Sequence, residues 1–135
     1  MPDPVALLDD QSREPTLEEE LAMFGEEDVF EMVNLREQDT GIAGTVFIST
    51  IAGAHGPRVK YYLKPGRHQP SFSVAIQKEP RVLANGLPVH EMRRIAPSVI
   101  AWVKLNHVAL LRFWNEGETW DVRELAAFAT SLQRV

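Results

Sequence analysis

Residues 53–66, GAHGPRVKYYLKPG, place a short alternating run between two turns rich in glycine and proline. The run has the period of a strand, in which successive side chains point to opposite faces. Arg58, Lys60, Tyr62 and Lys64 then share one face, and Val59, Tyr61 and Leu63 share the other. The second set is what a sheet buries against helices. The first set is a basic row containing one aromatic, with successive side chains about 6.6–6.8 Å apart. Two readings of that row stand side by side. It is the solvated face of a half-exposed strand, where Lys and Arg also discourage edge-to-edge pairing. Alternatively it is a binding stripe, whose cations meet phosphates and whose tyrosine stacks on a base. Arg67, Lys78 and Arg81 lie in adjoining turns and strands and widen the patch.

The same period recurs on both sides of this run. FEMVNL (30–35) alternates and ends in the polar loop REQDTG. GTVFISTI (44–51) puts Val46 and Ile48 on one face, with Phe47 and Ile51 on the other. SFSVAIQ (71–77) sets Phe72, Val74 and Ile76 against Ser71, Ser73, Ala75 and Gln77, and RVLANG (81–86) adds a short fifth strand. Short strands joined by compact turns predict an antiparallel meander.

From residue 88 the period becomes helical. Met92, Ile95, Val99 and Val103 fall on one face, and Pro97 within this run predicts a kink or break just before it. Asn106 is read as the cap of a second helix, HVALLRFW, apolar nearly all round and hence deeply buried. Asp121 and Glu124 form a cap pair for a last helix, with Leu125, Phe128, Ala129 and Leu132 as its apolar stripe. Trp114 and Trp120 flank the turn between them, and one of the two is a candidate contact residue. The expected fold is α+β: an antiparallel sheet of three to five strands, with two or three C-terminal helices packed on one face.

The segment before the sheet differs in character. It is expected to be an acidic, partly disordered arm over residues 1–28, followed by a single domain over residues 29–135. Within the arm, Thr16 and Glu19 have the spacing of a capping box, and Leu17, Leu21 and Phe24 follow on one face of a short helix ended by Gly25. Residues 1–39 hold thirteen of the nineteen acids and two of the fourteen bases, a net charge of −11. The remainder carries +6. Such a split fits a solvated acidic tail, or an acidic arm that covers a basic surface.

Several classes of function are excluded or weakly marked. With no cysteine, the chain has no disulfide, thiolate zinc site or cysteine nucleophile, which fits a reducing cytoplasm. The N-terminus lacks the basic and apolar regions of a signal peptide, and there is no apolar run of membrane-spanning length. His55, His68, His90 and His107 show no metal-ligand spacing, so neither a metal nor another cofactor is expected. His55, among glycines, is a turn residue or an acid–base group, and is the one position offered for catalysis. No P-loop, dinucleotide fingerprint, G-x-S-x-G, zinc-finger or RRM signature is present.

The motifs MVNLREQDTG, VFIST, AHGPRVKYY, SFSVAI, RVLANGLP and WVKLNHVALLRFWN, in this order, resemble a family of small bacterial proteins. That family is a domain of unknown function often encoded near toxin–antitoxin genes. The resemblance spans about residues 32–115 and rests on motif order. It implies an α+β fold in a bacterial cytoplasm and no established activity. The family signature carries two close histidines, whereas here His55 stands alone and Arg58 or Lys60 occupies the place of the second.

The first functional expectation is therefore a non-enzymatic binding or regulatory module. Its basic sheet face contacts nucleic acid or an acidic partner, and the acidic arm shields that face in the free chain. A protein–protein adaptor or homodimerising module, using the Thr16–Phe24 helix or an exposed tryptophan, is the second. A small enzyme using His55 is the third.

Overall fold

The computed structural model describes residues 3–5, 14–16, 19, 32–49, 56–64, 66 and 68–135. Five strands, β1 (Met32–Leu35), β2 (Thr45–Ser49), β3 (Arg58–Tyr62), β4 (Ser71–Ala75) and β5 (Val82–Asn85), pair in sequence order as an antiparallel meander. Among the described residues three α-helices accompany them: α1 (Glu37–Thr40), α2 (Val89–Glu116) and α3 (Val122–Ser131). The α+β arrangement expected from the alternating and helical periods is the one formed. The predicted helix over residues 17–25 lies outside the described residues, although Thr16 and Glu19 do exchange the two bonds of a capping box.

Register explains which side chains meet. Phe47, Lys60, Ser73 and Ala84 lie opposite one another across four strands, with Val46 beside Tyr61 and Tyr61 beside Phe72 in the neighbouring row. Val46, Ile48, Val59, Tyr61, Phe72, Val74 and Val82 form the face turned to α2 and are buried. From the helix, Met92, Ile95, Ala96, Val99, Trp102, Val103, Leu110 and Phe113 close this core. Each such large apolar side chain contributes about 1.5–3 kcal/mol by leaving water.

Two expectations about the helical part are corrected. Pro97 does not break the helix, and one helix of 28 residues runs through it and through Asn106. Pro97 is on the exposed side of α2, so the carbonyl it leaves without an N–H partner is open to solvent, while the buried stripe runs on both sides of it. Asn106 is not a cap. Its amide donates to the carbonyls of Trp102 and Gln133, both at 2.9 Å, and its oxygen accepts from the Gln133 N–H at 2.8 Å. It ties the chain after α3 to the middle of α2. The HVALLRFW segment is also less buried than its composition implies: Val108 faces outward, and only Leu110 and Phe113 are fully enclosed.

The polar stretch after β1 holds one turn of helix, α1, which ends at Gly41 with φ of +84°, a left-handed conformation that glycine adopts at little cost. Gly44, at φ of +109°, lets the Tyr61 phenol pass where a Cβ would stand, and that hydroxyl donates to the Ala43 carbonyl. At the other end, Asp121 and Glu124 form the expected capping box of α3. Phe128 of α3 stacks on Phe113 of α2 at 4.9 Å between centroids, with Trp120 against both, so aromatic contact fixes α3 to α2.

Candidate functional site

The sheet face turned away from α2 is not a wet surface. Phe47, Lys60, Tyr62, Ser71, Ser73 and Ala75 all point to it and all are buried. Lys60 is only 3% exposed, a value that few lysines reach without a partner. Part of the cover is Glu14 and Pro15, from the acidic segment that precedes the sheet.

Glu14 has the least accessible carboxylate among the described residues, its side chain being 0% exposed. It sits between the two cations of β3. Arg58 Nη1 lies 3.1 Å from its Oε2, and Lys60 Nζ lies 3.1 Å from its Oε1. Ser73 of β4 donates to Oε2 at 2.6 Å, and Arg58 Nη1 also reaches the Ser73 oxygen at 3.4 Å. Lys60 donates to the Pro15 carbonyl at 2.9 Å. The local reasons are simple. Arg58 and Lys60 are two apart on β3 and so share a face, and register places Ser73 opposite Lys60. A residue before proline is pushed toward extended backbone, which lets Glu14 lie flat on the sheet.

Electrostatically this is a triad of two cations and one anion removed from water. The attraction between buried charges offsets their desolvation only when geometry is good, so one missing member leaves an uncompensated charge. The geometry here is incomplete in two places. Arg58 meets the carboxylate through one nitrogen, while its buried Nε has no partner. Lys60 is close to Glu14 Oε1 but outside hydrogen-bonding geometry, so that pair is ionic without being directional.

The N-terminal segment is anchored at a second point. Asp3 pairs with Arg93 of α2 at 2.8 Å, the Pro4 carbonyl accepts from the Val82 N–H of edge strand β5 at 2.7 Å, and Val5 joins the core. Residues 3–5 therefore lie on the helix side of β5, and Glu14 lies on the opposite face. Both pieces belong to the folded body.

The remaining candidates scatter. Of the basic row, Arg58, Lys60 and Tyr62 converge on this seat, Tyr62 meeting Phe47 edge-on at 6.4 Å. Lys64 follows the end of β3 and is exposed; Lys78 is exposed in the β4–β5 turn, and Arg81 is half-buried. Arg67 and His55 lie outside the described residues. His68 and His90 are exposed, and His107 sits on α2 with Nδ1 3.0 Å from the Lys104 carbonyl. Among the described residues no group of three metal-ligating side chains occurs, and no helix is long and apolar enough to cross a membrane. Trp114 and Trp120 are both half-buried, with the Arg112 guanidinium 5.7 Å from the centre of the Trp120 ring.

Glu14 and Ser73 are what residue-by-residue inspection missed. The signal available was coarse: a −11 segment beside a +6 remainder fits an acidic arm over the row as well as a solvated tail, and singles out no carboxylate. The chain matches no family model, no curated protein and no solved structure.

Proposed function

We propose that this chain is a non-enzymatic binding or regulatory module whose basic sheet face receives an anionic partner, nucleic acid or an acidic protein segment. One observation carries the proposal: a carboxylate of the acidic N-terminal segment is buried between Arg58 and Lys60 on that face. A sheet that only needed a solvated edge would leave both cations in water, where they cost nothing. Here Lys60 is buried and Arg58 half-buried, and both are arranged around an anion, with a hydroxyl from β4 completing the contact. An accessory place in a toxin–antitoxin-like system is the matching setting, carried by motif order alone.

The test is an amide NMR titration of the full chain and of its Glu14→Lys variant, which adds a third cation to the seat. Short DNA and RNA oligomers and polyglutamate are added at low and moderate salt. The proposal expects shifts at Lys60, Tyr62 and Ser73 that are larger in the variant and weaken with salt. Silence of both chains toward all three polyanions overturns it.

A further inference from the structure

The seat is filled by a ligand that the chain itself supplies, and the fit shows what kind of ligand it is. Two features are read together. The Glu14 carboxylate is held by Arg58, Lys60 and Ser73, and the main-chain carbonyl of the next residue, Pro15, is held by Lys60. A carboxylate followed at once by a peptide carbonyl is a property of a polypeptide. A nucleic-acid backbone supplies oxyanions but no carbonyl at that spacing. The flanking surface agrees, since Phe47 lies across the ladder from Lys60 and Tyr62 lies two residues along β3, both buried and apolar in body.

The fit is also imperfect in a way that invites exchange. A guanidinium grips a carboxylate most strongly through two parallel N–H bonds, and Arg58 uses one nitrogen while its buried Nε is left unpaired. A carboxylate shifted slightly toward Arg58 gains that second bond. Glu14 is also constrained by its own chain, which is fixed at Asp3, Pro4 and Val5 on the far side of β5. A separate peptide has no such tether.

We propose, resting on the anionic-partner reading above, that the partner is an extended acidic peptide segment and that Glu14–Pro15 is a pseudo-ligand in cis which it displaces. Recognition consists of a carboxylate between Arg58 and Lys60, a hydroxyl bond from Ser73, and a main-chain carbonyl on Lys60. The acidic arm thereby sets the threshold for binding. A tethered competitor acts at an effective concentration of about millimolar, so only a peptide that improves on it, or an event that lifts the arm, opens the face.

The experiment supplies the ligand in trans. Full-length Glu14→Lys and Glu14→Gln chains, and the unaltered chain, are titrated by fluorescence anisotropy with a labelled peptide of residues 10–20, DQSREPTLEEE. The same peptide with glutamine in place of the glutamate before proline, and short single-stranded DNA and RNA, are the other probes. The peptide is expected to bind the Glu14 variants at least about tenfold more tightly than the unaltered chain, and the glutamine peptide to lose that gain. Equal binding to all three chains, or equal binding of both peptides, overturns the proposal. Binding of oligonucleotide but not peptide overturns it too, and leaves the anionic-partner reading standing. Binding of neither removes both. If Glu14→Lys fails to fold, Glu14→Gln and the unaltered chain decide. In the unaltered chain saturating peptide must shift the Lys60 and Ser73 amides, and its failure to do so counts against the proposal.

Discussion

Replacing Glu14 by glutamine keeps the shape of the side chain and removes its charge from between Arg58 and Lys60. At 3.1 Å and an effective dielectric near 20, Coulomb's law gives about 5 kcal/mol of attraction for each of the two pairs. Desolvation of each buried ion costs several kcal/mol, so most of that attraction is offset while the triad is intact. The variant keeps the desolvation of Lys60 and loses its compensation. The expected cost is about 3–5 kcal/mol, a large share of the roughly 5–15 kcal/mol that holds a typical domain folded. Urea unfolding followed by tryptophan fluorescence measures it, with buried Trp102 as a reporter of the core. The midpoint should fall with little change in slope. Lys60→Met, made alone and together with Glu14→Gln, closes a double-mutant cycle. The two charges should be coupled by about 1–3 kcal/mol, because removing both leaves only Arg58, which retains some access to water. A Glu14→Gln cost below about 0.5 kcal/mol, with additive behaviour in the cycle, would refute the reasoning. The acidic segment would then be held by packing alone.

Asn106→Ala should cost about 1–3 kcal/mol, because the Gln133 N–H and carbonyl lose their only side-chain partner in α2. Native-state hydrogen exchange should show faster exchange at the Gln133 amide, and unchanged protection there would contradict the tether. The Tyr61 phenol is held above its ordinary value of 10.0, chiefly by burial, with Arg94 opposing and Glu37 adding to the shift. Its proton is thus kept in the folded chain and lost more readily by the unfolded one. That contribution is fully present below the unfolded value near pH 10 and is lost as pH rises through the folded value. Urea midpoints taken between about pH 8 and pH 11 should decline more steeply for the unaltered chain than for Tyr61→Phe, and equal slopes would sink the assignment.

Much of the fold was legible because it rests on local periods. The alternation in RVKYYLK and SFSVAIQ assigns Val59, Tyr61, Phe72 and Val74 to the core face with no knowledge of the partner strands, and the Asp121–Glu124 pair marks the start of α3. Pro97 and Asn106 were not legible in the same way. Both carry a strong local meaning, and in both cases packing overrode it. The buried stripe from Met92 to Phe113 runs along one helix on both sides of the proline. The Asn106 amide finds its Gln133 partners 27 residues away, beyond the reach of any local rule.

By itself, the sequence determined which residues share a face of each strand, that the last third of the chain is helical, and that a strongly acidic segment precedes a basic body. It placed Arg58 and Lys60 side by side, because alternation on a strand is a property of the backbone. Only the tertiary structure decided that this face is enclosed, that Glu14 is seated there, and that Ser73 completes the seat. Those outcomes depend on strand register and on long-range contacts, which join residues 44 to 59 positions apart. Charge acts at a distance and without direction, so composition foretells an encounter between acid and base, and packing alone selects the pair.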